Sequence, residues 1–226
     1  MWNNENKMTK LRVSETDHGI QGDIQVIQYD QMQRHLRDKG WIETDQLIKS
    51  GILEGHALEI GHGPGYLGLE WLRQTCNSTL IGLDISPDMT RLAKKNAAAY
   101  GLQDRVRYDS GQGDNLPYAD NTFDAVFSNG SLHEWVNPVG TFNVIYRVLK
   151  PGGRYFVSDL RRDMVLPMRW FLWLGCQPAV IRPYLGSSID AAYTPDDLKK
   201  ILQNTICKGA QISGNLVGVS ITGQKG

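Results

Sequence analysis

Between His56 and Ser158, short and mainly apolar runs alternate with longer amphipathic stretches. The runs are His56–Ile60, Thr79–Leu83, a run beginning at Val106–Tyr108, Phe123–Ser128 and Arg154–Ser158. Their length and composition predict buried strands. Between them, Tyr66–Gln74, Pro87–Tyr100 and Pro138–Leu149 carry helical spacing. Ser86 stands where an N-cap belongs, Pro87 takes the first helical position, and Gly101 follows the end. Pro151-Gly152-Gly153 stops the third helix. Strands alternating with helices predict a parallel sheet with right-handed crossovers. In such sheets ligands bind beyond the carboxyl ends of the strands, where the strand order reverses.

The flanks read differently. Residues 1 to 22 are polar and predict irregular chain; Ile24–Lys39 and Trp41–Lys49 predict helices, with Ser50-Gly51 as a stop. Leu160–Leu185, rich in aromatic and basic residues, predicts a helical excursion. Thr194-Pro195-Asp196 opens another helix, and Gln211–Thr222 predicts one or two closing strands. The expectation is therefore an α/β, Rossmann-like open sandwich. It has a mostly parallel seven-stranded sheet, helices on both faces and a small helical lid. A single domain of residues 1–226 is expected: a helical cap (1–50), a cofactor-binding core (51–159), a lid (160–192) and a C-terminal helix with closing strands (193–226).

Composition narrows this picture. With 226 residues and 41% hydrophobic content, one compact domain can bury a full core. The 24 basic residues balance the 24 acidic ones, which disfavours a nucleic-acid partner. Cys76, Cys176 and Cys207 are far apart and have no metal-ligand spacing, so reduced thiols and no metal are expected. The polar start lacks the apolar centre of a signal peptide. No stretch reaches the roughly 18 apolar residues of a membrane span. The nearest, Val165–Ile181, is interrupted by Pro167, Arg169 and Pro178. A cytoplasmic location follows as an expectation.

The candidate chemistry begins at the first strand. Glu59-Ile60-Gly61-His62-Gly63-Pro64-Gly65 leads directly into a helix. Glycines there let the backbone turn sharply and approach a ligand, and helix N-terminal N–H groups favour anionic groups. Gly63, Gly65 and Gly68 satisfy the dinucleotide pattern GxGxxG. The first glycine after the strand, however, is Gly61, and counted from there Tyr66 stands where the third glycine belongs. The carboxylate of Glu59 repels a pyrophosphate but suits an ammonium group, which favours S-adenosylmethionine over NAD. Asp84 ends the second strand and can accept hydrogen bonds from both ribose hydroxyls, which suits either cofactor.

Four motifs now stand in order: LEIGHGPG, GLDISPDM, GQGDNLPYADNTFDAVFSNGSLHEW and RVLKPGGRYFVSD. With them the chain resembles the class I S-adenosylmethionine-dependent methyltransferases, and within these the group that includes the ubiquinone/menaquinone-biosynthesis enzymes. The resemblance covers Leu53–Val157, with a weaker echo at Tyr193–Leu202. It implies that Glu59, Gly61, Gly63 and Gly65 hold the methionine end of S-adenosylmethionine. It further implies that Asp84 binds ribose, Ile85 lies against adenine, Gln112 and Gly113 face the adenine ring, and Ser128 sits near the methionine part. Gln112 replaces the family's usual aspartate, and its amide oxygen can still meet the adenine amino group.

His133 stands where the family often has paired histidines. It is a candidate general base, a polar wall of the acceptor site, or a helix-start histidine in a structural hydrogen bond. Asn129 lies beside the expected transfer point, without the NPPY-type run of amide N-methylating enzymes. In the lid, Arg161, Arg162, Arg169 and Arg182 interleave with Trp170, Phe171, Trp173 and Tyr184. Arg161, Trp170, Trp173 and Tyr184 are candidate contacts to an apolar or aromatic small-molecule acceptor, with arginine meeting an anionic group. The same residues also suit plain packing, or contact with a membrane surface or partner subunit. The N-terminal segment, including Tyr29 and Trp41, is a candidate cover over the cofactor. Two other readings remain open: an S-adenosylmethionine-binding regulatory or assembly module without methyl transfer, and an NAD-dependent oxidoreductase.

Overall fold

The computed structural model describes residues 11–14, 19–207 and 209–226. Much of the polar stretch expected to be irregular lies outside these. Along the chain run α1 (Asp23–Asp38), α2 (Thr44–Lys49), β1 (His56–Ile60), α3 (Tyr66–Gln74), β2 (Thr79–Asp84), α4 (Pro87–Tyr100), β3 (Val106–Ser110) and β4 (Phe123–Asn129). A 3-10 turn at Leu132–Glu134 precedes α5 (Pro138–Val148) and β5 (Leu149–Leu160). Then come α6 (Leu166–Gly175), a second 3-10 turn at Ala179–Ile181, α7 (Arg182–Ala191), α8 (Pro195–Gln203), β6 (Gln211–Gly214) and β7 (Gly218–Gln224).

The sheet order is β3-β2-β1-β4-β5-β7-β6. β1 pairs in parallel with both β2 and β4, and β2–β3 and β4–β5 are parallel too. β7 is antiparallel to both β5 and β6, so the sheet is mixed. The strand order reverses between β1 and β4, which opens a crevice at their carboxyl ends.

Two apolar layers hold the helices to the sheet. On one face Phe142 and Ile145 of α5 and Leu198 of α8 join Leu58, Val126 and Tyr155. On the other, Leu69, Trp71 and Leu72 of α3 and Ala93 of α4 join Ala57, Ala125 and Phe127. Trp71 is fully buried, and its indole N–H donates to the Ile52 carbonyl at 3.0 Å, so its burial leaves no donor unpaired.

Local signals hold where the chemistry is local. The Ser86 hydroxyl accepts from the Met89 N–H at 3.2 Å, and Gly101 ends α4 in the left-handed conformation. Thr194 and Asp197 form a capping box at α8. The fifth strand departs from expectation, because it begins at Leu149 rather than Arg154. Pro151-Gly152-Gly153 ends α5's run without ending the pairing: the register with β4 jumps from Phe123↔Leu149 to Ala125↔Arg154, a bulge that absorbs the extra residues.

Candidate active site

The strand ends of β1, β2 and β4 border a cleft of about 230 Å³. Gly61 and Gly63 form part of its wall, and both have positive φ, 69° and 51°. At Gly61 a Cβ would lie 2.5 Å from both Cβ and Oγ of Ser131, so only glycine fits against that turn. Asp84 lines the cleft, with Oδ2 accepting the Gly63 N–H and Oδ1 the Ser86 N–H, both at 2.8 Å. Each oxygen keeps a lone pair for a further donor. Ile60, Leu83, Ile85 and Met89 supply apolar wall, and Gln112 and Gly113 border the same space. An acid with two oxygens to offer, an apolar slot and an amide fit a ribose joined to a flat purine.

The structure places three other expected cofactor contacts outside this wall. Glu59 is turned away from the cleft and beneath α3. A Cβ at Gly68 would lie within contact distance of Glu59 Oε2, and the Gly68 N–H hydrogen-bonds the carboxyl. β1 is paired on both sides, so the alternation of its side chains sends Glu59 to the helix face. Burial pushes its pKa up to about 8; the Gly68 bond opposes this shift and Asp84 adds to it. Gly65, at φ 86°, caps α3 and faces Tyr108, whose hydroxyl a Cβ would meet at 2.5 Å. Ser128 is buried behind Ser131, the hydroxyls 2.7 Å apart, and Ser131 is the one that reaches the cleft. Glu59 Oε2, His62 Nε2 and the Tyr108 hydroxyl are buried without a hydrogen-bond partner beneath the glycine loop.

The N-terminal segment crosses the cleft. Gly19, Ile20 and Tyr29 line it, the Ser86 hydroxyl donates to the Ile20 carbonyl at 2.6 Å, and the Gly22 N–H donates to Asp88 at 3.0 Å. Tyr29 also borders a larger chamber of about 920 Å³, as do Gly19, Ile20, Gly130 and Glu134. The two cavities thus share a wall. α1, α6 and α7 all contribute to the chamber, with Met32, Leu36, Phe171, Leu172 and Leu185 among its apolar lining.

His133 and Asn129 both face this chamber. His133 Nδ1 lies 3.0 and 2.9 Å from the two oxygens of Asp159, the penultimate residue of β5. The same carboxylate accepts the backbone N–H groups of His133 at 2.8 Å and Leu160 at 2.7 Å. Asp159 is thereby fixed, and an Nδ1–H donated to it makes Nε2 the basic nitrogen. Asp159, which closes the RYFVSD motif, is a candidate site residue that sequence reasoning missed. Its pairing with His133 spans 26 positions, and no local pattern reports that distance. Nearby, Asn129 Nδ2 donates to Ser158 Oγ at 2.9 Å, and Ser158 hydrogen-bonds Glu43, another chamber residue. Burial is the main cause raising the Glu43 pKa, with Asp159 adding to it and Ser158 opposing.

The lid residues divide around the chamber. Tyr184 lines the chamber; Arg161, Trp170 and Trp173 do not. Arg161 is paired with Asp163 at 2.7 Å and donates to the Asn215 carbonyl. Trp170 and Trp173 meet edge to face with centroids 5.8 Å apart, and Arg182 stacks on Trp173 at 4.4 Å. Both indoles point outward, so the aromatic residue of α6 that reaches the chamber is Phe171. Among the described residues no helix is long and apolar enough to cross a membrane.

Comparison with known proteins agrees with this geometry. A protein-family profile described as "Methyltransferase domain" matches residues 58–157. The Ubiquinone/menaquinone biosynthesis C-methyltransferase UbiE of Geotalea daltonii is 32% identical over 185 residues, covering 76% of this chain and 79% of that protein. The demethylmenaquinone methyltransferase of Symbiobacterium thermophilum is 30% identical over 166 residues, covering 66% of each chain. In other curated relatives the match spans only 39% to 48% of their length. A solved structure from Methanococcus maripaludis, described as a candidate S-adenosyl-L-methionine-dependent methyltransferase, aligns with a TM-score of 0.74 at 23% identity. That alignment covers 94% of this chain and 97% of the other, and it shows the shared fold. The chain belongs to the class I S-adenosylmethionine-dependent methyltransferases. Within that class it is of the UbiE type, and its cofactor is S-adenosylmethionine.

Proposed function

We propose that the protein transfers a methyl group to a small phenol- or quinol-type acceptor seated in the larger chamber, and that His133, oriented by Asp159, takes the acceptor's proton. The observation that carries this reading is the His133–Asp159 pair at 2.9 Å on the wall next to the cofactor cleft. S-adenosylmethionine, when bound, supplies a sulfonium-activated methyl for in-line displacement, so orientation and exclusion of water are the main demands on the protein. Asp84, Ile85, Gln112 and Gly113 hold the adenosine part, Gly61, Gly63 and Ser131 line the same cleft, and Tyr29, Gly130 and Glu134 border the side shared with the chamber. Asn129, held by Ser158, borders the path between the two cavities. His133 accepts the hydroxyl proton as the nucleophile engages, and Asp159 stabilises the imidazolium that results. The curated names of the relatives, a demethylmenaquinone methyltransferase and a ubiquinone/menaquinone C-methyltransferase, support a quinol-type acceptor.

The test is turnover. With S-adenosylmethionine and a reduced naphthoquinol bearing an apolar tail, S-adenosylhomocysteine should form in step with a singly methylated product. Tight S-adenosylmethionine binding by calorimetry, with no turnover on quinol or phenol acceptors, would overturn the reading in favour of a cofactor-binding module.

A further inference from the structure

Beneath the glycine loop, Glu59 Oε2, His62 Nε2 and the Tyr108 hydroxyl are buried without a hydrogen-bond partner, and none of the three residues is more than 4% exposed. Tyr108 links the other two. Its ring packs on the His62 ring with centroids 4.6 Å apart. Burial pushes its pKa up, and the nearby Glu59 carboxyl adds to that shift. Glycine makes the room. A Cβ at Gly65, which caps α3, would come within 2.5 Å of the Tyr108 hydroxyl. One at Gly82 of β2 would lie 2.5 Å from the Tyr108 ring and 2.9 Å from His62 Cδ2, and one at Gly68 would overlap Glu59 Oε2. Glycines of two elements thus keep side-chain carbon away from the region where the three polar atoms sit.

A polar atom buried unpaired is costly, and in folded proteins such atoms are paired with protein or with water. The donor inventory says which partner suits. His62 Nδ1 lies 2.7 Å from the Gly63 carbonyl, so Nδ1 carries the proton and Nε2 presents a lone pair. Burial lowers the His62 pKa and keeps the ring uncharged, although Asp84 opposes the shift. Burial raises the Glu59 pKa to about 8, so near neutral pH the carboxyl holds its proton. The tyrosine O–H both donates and accepts. An uncharged set that mixes donors and acceptors suits neither a metal ion nor an anion, and it suits water, which offers both. We propose that Glu59, His62 and Tyr108 line an internal water site, and that water bound there supports the glycine loop from below. The support reaches the cleft through two short links: His62 holds the Gly63 carbonyl, and the Gly63 N–H donates to Asp84 Oδ2 at 2.8 Å. The water site is independent of the larger chamber and of what binds there.

The test joins a crystal structure of the wild-type protein, at a resolution that shows ordered water, with the variant Tyr108→Phe. Water density should stand within hydrogen-bond distance of the Tyr108 hydroxyl and of His62 Nε2 or Glu59 Oε2. Oxygen-17 relaxation dispersion should count fewer long-lived waters in Tyr108→Phe than in wild type. Loss of the hydroxyl should raise the unfolding equilibrium constant about fivefold, the worth of a hydrogen bond. It should also weaken S-adenosylmethionine about threefold by calorimetry, a smaller share of the same term. An unpaired hydroxyl predicts the opposite sign, with Tyr108→Phe as stable as wild type or more so. That result, a direct hydrogen bond among the three side chains in place of water, or an unchanged dispersion overturns the water site. Water density with unchanged cofactor affinity in Tyr108→Phe overturns its support of the loop. Failure of this one-atom change to fold would show the hydroxyl to be paired, and the wild-type density would then decide whether water is the partner.

Discussion

The smaller cleft and the larger chamber share a wall yet are built in different ways. The cleft is made of strand ends and tight turns, and much of its lining is backbone or glycine: Gly61, Gly63, Gly111, Gly113 and Gly130. Its one strand-end carboxylate, Asp84, is locked by two backbone N–H groups at 2.8 Å. The chamber lies between strand ends, such as Asn129 and Asp159, and side chains on helices that pack outside the sheet, and it holds about four times the volume. α6 buries none of its residues, whereas α3 buries six of nine. A site made of turns admits few sequences, because most substitutions clash or strain the backbone. A site made of helix faces can change its lining without disturbing the sheet. The difference explains how one cofactor can serve many acceptors on one fold.

The comparison can be broken or sharpened by experiment, starting with the chemistry at the shared wall. Asp159→Asn and His133→Ala should lower kcat by about 10²–10⁴-fold, while S-adenosylmethionine affinity stays within about threefold by calorimetry. Equal losses in affinity and rate would place the pair in cofactor binding. Next, Gly61→Ala should weaken S-adenosylmethionine on the order of 100-fold, since the new Cβ meets Ser131 and the left-handed φ becomes strained. Binding of a neutral probe in the chamber should hardly change, and parallel loss would show that the two regions do not act separately.

A smaller effect concerns Glu59, whose pKa is pushed up to about 8 by burial. The folded value lies above the unfolded one, so this group's stabilisation is complete below the unfolded value, 4.5, and is lost as pH rises through about 8. The melting temperature without cofactor should fall by several degrees between pH 6 and pH 9, and Glu59→Gln, whose amide oxygen still accepts from Gly68, should flatten that fall. A large drop in cofactor affinity in this variant at pH 7 would instead put the carboxylate in direct contact with the cofactor. The smallest change is expected from Trp170→Ser, with the acceptor KM altered by less than about twofold, because an exposed residue off the chamber wall has little to lose. A larger change would extend the acceptor site to the outer face of the lid.

The core was readable because its signals are short-range. Ser86-Pro87 and Gly101 bound α4 where they stand, and the glycines of the first loop do their work within a few residues of Ile60. The motif marks Glu59 but does not say which side of the sheet it faces, and the structure turns it toward α3. Gly68 in the first turn of α3, small enough to admit the carboxyl, was the available sign. The lid was least legible. A helix with apolar residues all round, such as Leu166–Gly175, carries no stripe to orient it, so Trp170 and Trp173 could not be told from Phe171. The partnership of His133 with Asp159, and of Ser158 with Glu43, depends on which strand lies next to which, a property of topology rather than of any window of sequence.

One ring ties the two cavities together in time. Tyr29 borders both, its hydroxyl fixed by Gln33 at 3.0 Å, and the segment before it is pinned across the cleft at Ile20 and Gly22. The first ligand to arrive in the cleft completes the wall against which the second must dock. If the spent nucleoside leaves only after those pins open, turnover has a fixed order of events and departure rather than methyl transfer sets the pace. A burst of methylated product in the first cycle, followed by a slower steady rate, is the expected signature in rapid-quench kinetics. A linear start would assign the slow step to the methyl transfer itself.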